Sequence, residues 1–396
     1  MINDQLPGNL LCFSHLRWDF VVQRPQHLMN RFSRFLTVYF FEEPIFTTGG
    51  ECYIAYIQKQ PNLWICVPHL TESQNQEEIN ALQMFLLCSF FKKKRQEDFI
   101  FWYYTPMALG FSRSFNPKLV IYDCMDELST FRFAPPTLKS EERKLFQKAD
   151  IVFTGGYSLY EAKRNDHSNI HPFPSSIDKA HFEKARNCNA EPISQSVIPG
   201  PKIGYYGVID ERFDIDLVRE IAEKRPGWQI ILIGPIVKID PGTLPRRNNI
   251  HYLGSQEYND LPLFLSGWDV ALIPFLINES TRFVSPTKTP EYLAAGRPVV
   301  STPITDVIFH YESNGLIDIA TDSDDFIAAI ESKIKIYDKR EWLQRVDQFL
   351  SDNSWDKTFN GMRSLLISTV GDRDDRRADA VLHAVKTIEI LNAAPS

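Results

Sequence analysis

Lys288 and Glu291 lie in the run Ser285-Pro-Thr-Lys-Thr-Pro-Glu-Tyr-Leu-Ala-Ala-Gly-Arg-Pro-Val-Val-Ser-Thr302. Their spacing and setting suit a nucleoside diphosphate held by both ends. Ser285 followed by Pro286 reads as a helix N-cap and first helical residue. The free N–H groups of such a first turn, Thr287 included, attract anions. Lys288 adds a mobile positive charge there. Glu291 falls about one turn on, on a similar face, where a carboxylate suits the two hydroxyls of a ribose. The competing reading is a surface charge pair at helical spacing, worth a few tenths of a kcal/mol. The Ser-Pro start, the Ala-Ala-Gly296 end and the buried strand beginning at Val299 favour the ligand site. Pro290 either removes a helix hydrogen bond or restarts the helix at Thr289.

Other residues with chemical capacity stand at the ends of apolar runs. In Gly207-Val-Ile-Asp-Glu-Arg212, a glycine after a strand lets a ligand approach the backbone. The Arg212 guanidinium could then grip both phosphates; the alternative is an ordinary turn with a solvated arginine. Ser14-His15-Leu-Arg17-Trp18-Asp19 follows the first strand, and Arg24-Pro-Gln-His27 then opens a helix. These residues either fix a loop or bind a second substrate and reach a phosphate, with Arg17 and Asp19 preferred. Tyr122-Asp123-Cys-Met-Asp126-Glu127 brings three carboxylates to another strand end. They can cap structure, orient hydroxyls or bind a metal, but no further ligands at metal spacing stand out. No metal is therefore expected. Thr281 and Arg282 precede the Lys288 motif.

The whole chain sets the bounds. Its 396 residues exceed what one core usually supports, so two domains are expected. A net charge of -7 argues against a nucleic-acid partner. The six cysteines form no Cys-x-x-Cys pair; four of them lie in apolar runs, so buried reduced thiols are expected. No signal peptide opens the chain, and no apolar run reaches the ~18 residues of a membrane span. A cytoplasmic protein is the expectation. Met84 to Arg95 sets an apolar run against Lys92, Lys93, Lys94 and Arg95. This is either a core helix ending in cations that suit its dipole or a peripheral dock on the anionic inner face of a membrane.

These residues need elements to position them. Short apolar runs alternate with helical patterns, which predicts an α/β chain with parallel sheets covered by helices on both faces. Strands are expected at 10–13, 38–41, 63–67, 99–103, 119–122 and 151–154. After a polar stretch the alternation restarts with strands at 203–206, 229–233, 250–253, 270–273 and 298–301. This divides the chain into an N-terminal domain 1–185, a linker 186–200 and a C-terminal domain 201–370. A charged segment and last helix, 371–396, could pack back on the N-terminal domain. Two doubly wound sheets place their strand carboxyl ends around a common cleft, where ligands bind.

The order Gly204-Tyr-Tyr-Gly207, Trp228-Gln-Ile-Ile-Leu-Ile-Gly234, Asn249-Ile-His-Tyr-Leu-Gly254, Asp269-Val-Ala-Leu-Ile-Pro274 and Ser285 to Thr302 resembles the donor half of GT-B glycosyltransferases. The closest type is the retaining "glycosyl transferases group 1" class, family 4-like. Ser14 to His27 and Tyr122 to Glu127 are similar to a bacterial subset linked to cell-surface polysaccharide synthesis. The resemblance implies two Rossmann-like domains and a nucleotide-sugar donor, with UDP or GDP favoured and no other cofactor. It implies a glycan or lipid-linked hydroxyl acceptor, and transfer with retention and without metal. Arg212 and Lys288 would stabilise the leaving group, and Arg282 would lie near the donor sugar. His15, Arg17, Trp18, Asp19, Arg24, Asp123, Asp126 and Glu127 would face the acceptor. Two departures mark this chain. Phe283 stands where the family often has the first of two acids, and Val208 follows Gly207 where a basic residue is usual. A non-catalytic nucleotide-sugar-binding partner and an epimerase or hydrolase on the same fold are the rival readings.

Overall fold

The computed structural model describes residues 6–72, 75–188, 190–335 and 339–392. Among these, two sheets form the frame. The first has nine strands: β1 (Asn9–Phe13), β2 (Thr37–Phe41), β3 (Ile45–Thr47), β4 (Tyr53–Gln60), β5 (Leu63–Thr71), β6 (Phe99–Tyr103), β7 (Leu119–Cys124), β8 (Ile151–Thr154) and β9 (Ile170–Pro172). Their order is β3-β5-β2-β1-β6-β7-β8-β9, with β4 antiparallel on β5. The second is wholly parallel: β10 (Lys202–Tyr206), β11 (Gln229–Ile233), β12 (Ile250–Tyr252), β13 (Val270–Ile273), β14 (Val299–Ser301) and β15 (Asp318–Ile319). Its order, β12-β11-β10-β13-β14-β15, is the doubly wound pattern with its reversal between β10 and β13. The expected α/β class and paired Rossmann-like architecture are thus present.

Apolar continuity explains the central strands. Ile230, Ile231, Val270, Ala271 and Leu272 are all buried, as parallel strands covered on both faces must be. The strands that sequence pattern misses are of another kind. β4 is largely exposed along its length and carries polar residues, β3 has three residues, and β15 has two.

The chain crosses between the two cores twice, and neither crossing falls where the composition shift suggests. Ile177, Phe182 and Ala185 belong to the C-terminal core, although the expected N-terminal domain runs to 185. Residues near the expected linker also pack on that domain. The amide of Gln195 donates to Phe264 O at 2.8 Å and accepts from Trp268 Nε1 at 2.9 Å. In the other direction, Trp355, Phe359, Met362, Leu366 and Val370 pack into the N-terminal core. The expected boundary at 370 lies inside one helix, Trp355–Asn392. Its charged stretch does not interrupt it: Arg373 reaches Asp150 and Lys118 O, both at 2.7 Å. Where the two crossings meet, Ser176 Oγ donates to Asn353 at 2.6 Å and Trp355 N–H donates to Ile177 O at 3.3 Å.

The helix Gln76–Phe91 buries Leu86, Leu87, Phe90 and Phe91 and leaves Met84 and Phe85 exposed. Cys12, Cys66 and Cys124 are buried free thiols, while Cys88 on this helix is exposed. Among the described residues, no helix is long and apolar enough to cross a membrane.

Candidate functional site

At the switch point of the second sheet, β10 and the helix Lys288–Ala294 are locked together. The Tyr292 hydroxyl accepts from Tyr206 N–H at 3.0 Å and donates to Tyr206 O at 3.3 Å. One residue away, the Tyr206 hydroxyl donates to Glu291 Oε2. The same locking brings Lys288 against Gly207. That glycine has φ +140, and an added Cβ would collide with the Lys288 side chain. Only glycine fits here, because both its backbone and its lost volume are used.

The helix starts later than its sequence suggests. Thr287, not Ser285, is the N-cap, and it makes no side-chain cap bond. Ser285 O instead accepts from Ser175 Oγ of the N-terminal domain at 2.7 Å. Pro290 therefore sits in the first helical turn, where its missing N–H costs nothing. Gly296 (φ +72) closes the other end. Its N–H donates to Leu293 O at 2.9 Å, and Arg297 N–H donates to Tyr292 O at 2.9 Å, the paired bonds of a left-handed C-terminal cap.

A cleft of about 850 Å³ opens over this junction and is walled by both domains, a volume typical of small-molecule sites. Gly207, Arg212, Lys288 and Glu291 line one side; Trp18, Arg24 and Asp126 line the other. Lys288 Nζ makes no hydrogen bond or ion pair with a described residue. It lies 5.7 Å from the centroids of both Tyr205 and Phe275. Burial, then the Arg212 charge, lowers its pKa, while Glu291 pulls it back up. Burial raises the Glu291 pKa, against the Tyr206 bond and Lys288. Each group is thus held where charge is costly and where an oppositely charged or hydrogen-bonding ligand group is welcome.

Arg212 is half committed. Its Nε and Nη2 fork onto Asp210 at 2.7–3.2 Å, and its Cζ lies 5.2 Å from the ring of Phe131 in the opposite domain. Nη1 has no hydrogen-bond partner among the described residues. Across the cleft, the Asp126 carboxylate makes no hydrogen bond or ion pair with a described residue. Burial raises its pKa, opposed first by Arg212.

The remaining sequence candidates are placed differently. Arg17 pairs with Glu42 at 3.0 Å and donates to Pro44 O at 3.2 Å. Trp18 N–H donates to the same Glu42 at 2.7 Å, and its ring meets Phe40 edge-on at 5.0 Å. Asp19 is on the cleft rim but pairs with Lys59 at 2.8 Å. The loop after β1 is thereby fixed by residues far along the chain. Burial, then the Lys238 charge, lowers the His15 pKa to about 4, so this imidazole is neutral. Arg24 and Asp123 form a buried pair at 2.9 Å, and Arg24 also donates to Phe173 O at 2.6 Å. Glu127 faces away from the cleft, paired with Lys163 at 2.8 Å. It lines a second cavity of about 590 Å³ together with Glu142, Arg282 and Phe283. Arg282, expected near a donor sugar, lies there over the Phe283 ring at 5.3 Å. Phe283 packs against the N-terminal core, which is the physical use of an apolar residue at that position. Thr281 is buried and bonded within its own loop.

Three residues in the site escaped sequence reasoning. Asp210 was within reach of it, since it stands two residues before Arg212 in the same turn. Tyr206 directly precedes Gly207. Phe131 carried no local signal, because its partner is in the other domain. Among the described residues, no group of three His, Cys, Asp or Glu side chains could hold a metal ion.

With this geometry in place, the relatives can be compared. Residues 201–335 match the family described as Glycosyl transferases group 1. A Bacillus subtilis (strain 168) protein, TuaH, named as a candidate teichuronic acid biosynthesis glycosyltransferase, is 26% identical over 222 residues. That match covers 51% of this chain and 54% of the relative, so it spans about half of each. Sucrose-phosphate synthase from Thermosynechococcus elongatus superposes with a TM-score of 0.70 at 14% identity, over 92% of this chain and 100% of that one. HepE of Anabaena, in complex with UDP and glucose, gives 0.64 at 13% identity, over 91% and 99%. At such identities the structural likeness is one of fold. This chain has the GT-B fold and is related, through its C-terminal half, to the group 1 glycosyl transferases.

Proposed function

We propose that this chain transfers a glycosyl unit from a nucleotide sugar to a hydroxyl of a glycan or lipid-linked acceptor, with retention and without a metal. The observation that carries this reading is the unpaired Lys288 ammonium packed against Gly207, with Glu291 one turn further along the same helix. Lys288 and Arg212 would take the diphosphate. Glu291 Oε1, free of the Tyr206 bond, would accept from the ribose hydroxyls. UDP is the favoured nucleotide, since HepE of the same fold holds UDP.

In the reaction, the bond between the anomeric carbon and the β-phosphate oxygen breaks. A bond from the acceptor oxygen to that carbon forms on the same face. The acceptor proton passes to the leaving phosphate. Negative charge therefore grows on the diphosphate, where Lys288 and Arg212 stabilise it. Asp126, whose carboxylate has no hydrogen-bond or ion-pair partner among the described residues, would accept from an acceptor hydroxyl. Arg17 and Asp19 shape the loop beside it through Glu42 and Lys59, and Arg24 and Asp123 hold the strand end that carries Asp126.

The name of the Bacillus relative supports a bacterial cell-surface polysaccharide as the product. Such a role suits a cytoplasmic protein that touches the inner membrane face. The exposed Phe85, on the helix that leads into Lys92, Lys93, Lys94 and Arg95, would belong to the surface for that contact.

Nucleotide release from UDP- and GDP-sugars, followed with and without a mixture of glycan acceptors, tests the reading. Release that needs acceptor supports transfer. Release without acceptor points to hydrolysis, and binding without turnover points to a non-catalytic partner.

A further inference from the structure

We propose that Phe131 is a positioning residue: its ring, carried by the N-terminal domain, sets the Arg212 guanidinium across the cleft and links domain contact to leaving-group stabilisation. This rests on the transferase reading above and extends it to a residue outside the substrate-binding groups.

Two cations of the C-terminal domain meet this ring. Arg212 Cζ is 5.2 Å from its centroid and Lys238 Nζ is 5.4 Å from it. Both distances are within cation–π range. The two cations follow neighbouring strands, β10 and β11. Lys238 is also the one non-glycine residue with positive φ (61°) among those described, a strained conformation that persists only where surroundings enforce it. Its ammonium makes no hydrogen bond or ion pair with a described residue and lies over the Phe131 ring, with its charge also felt by His15 and Glu43.

Arg212 needs such a contact. Among the described residues of its own domain, its guanidinium hydrogen-bonds with Asp210 alone, along one edge. A fork on one edge leaves the plane free to rock. The Phe131 ring, 5.2 Å from Cζ, restricts this freedom, while Nη1 has no hydrogen-bond partner among the described residues.

The turn that carries Phe131 is built to hold still. Phe131 N–H donates to Leu128 O at 3.3 Å, and Ala134 N–H donates to Phe131 O at 2.9 Å. The Thr130 hydroxyl donates to Glu127 O at 2.7 Å. The Glu127 carboxylate is itself held by Lys163 at 2.8 Å and by Ser129 Oγ at 2.6 Å. Glu127 therefore serves the cleft from behind, by anchoring the turn that presents Phe131. When the domains part, Arg212 loses its aromatic face and keeps only Asp210. The full arrangement then exists only with the domains in contact, when a donor is shielded from water.

Steady-state kinetics of wild type, Phe131→Leu and Phe131→Tyr, with UDP affinity by calorimetry and Tm for each, test this. Leucine fills similar space without the ring quadrupole; tyrosine restores it. The expected result for Phe131→Leu is a kcat about tenfold lower with UDP affinity changed less than about threefold. Phe131→Tyr should regain most of the lost kcat. A Phe131→Leu enzyme with wild-type kcat overturns the proposal, as do equal losses in both variants or a loss that follows Tm alone. If wild type consumes no donor at all, the transferase reading falls and this proposal falls with it.

Discussion

Tyr292 grips Tyr206 by both backbone groups, accepting from its N–H at 3.0 Å and donating to its carbonyl at 3.3 Å. All of these atoms are buried, and the grip sets the distance between Gly207 and Lys288. Tyr292→Phe leaves a buried N–H without its partner, at a cost of about 1–3 kcal/mol. Urea denaturation should show a lower midpoint with an unchanged slope, and UDP affinity should fall as Lys288 loses its register. An unaltered midpoint would contradict this account of the junction.

Gly207→Ala puts a Cβ into the Lys288 side chain and a non-glycine residue at φ +140. Strain of this kind costs on the order of 1–3 kcal/mol. The protein should still fold, since that cost is below the roughly 5–15 kcal/mol stability of a typical domain, but UDP binding should be lost to calorimetry. Retained binding would mean that the nucleotide does not lie along this backbone.

Donor affinity should have a bell-shaped pH dependence. Lys288, with its pKa lowered, must be protonated to hold the diphosphate, so affinity falls as pH rises through that pKa. Glu291, with its pKa raised, must be ionised to accept from ribose, so affinity falls as pH drops through that pKa. The two limbs should therefore lie closer together than the usual Glu and Lys values. For stability the signs reverse. The buried Glu291 charge costs the unliganded fold stability as pH rises above the carboxylate's ordinary value, and protonated Lys288 costs it as pH falls below the lysine's ordinary value. Calorimetric titration of UDP across pH checks the bell. Glu291→Gln should remove its acid limb and, because the Glu291 charge raises the Lys288 pKa, move its basic limb to lower pH.

Breaking the Arg24–Asp123 pair should affect folding. Both groups are buried, and Arg24→Leu leaves a buried carboxylate uncompensated, a loss of about 3–5 kcal/mol. The Arg17–Glu42 pair is of another kind: Arg17 is partly exposed, and the buried Glu42 keeps the Trp18 N–H when Arg17 is removed, so Arg17→Ala should cost less than Arg24→Leu. Comparing the two by urea denaturation checks whether the acceptor-side arginines differ as their burial says.

The proposed membrane contact has its own check. Pelleting with anionic liposomes should retain wild type and release a variant with Lys92, Lys93, Lys94 and Arg95 all changed to Glu. Equal pelleting of both proteins would remove this surface from the account.

What was legible in the sequence follows from what is local. Buried parallel strands are apolar runs, so β1, β2, β10, β11 and β13 could be read from composition alone. The Lys288 motif was legible because its parts share one helix and two flanking strands. β4 was not, because an exposed edge strand lacks the apolar signal. The helix through 355–392 was broken at its charged stretch in the sequence reading, although charged residues tolerate a helix well. Long-range pairing was out of reach. Arg17 and Asp19 meet Glu42 and Lys59 far along the chain, and Phe131 meets Arg212 across two domains. Residue type suggested chemistry for all of them, but only the fold decides which side chains are left free for a ligand.

The most direct measurement is nucleotide release from a UDP-sugar by wild type and Lys288→Ala, each with an acceptor mixture. The account predicts acceptor-dependent release by wild type and a fall of about 100-fold or more in kcat/KM for Lys288→Ala, the scale of losing one preorganised charge at a leaving group. Turnover by Lys288→Ala close to wild type would contradict the central claim that this unpaired ammonium stabilises the departing diphosphate.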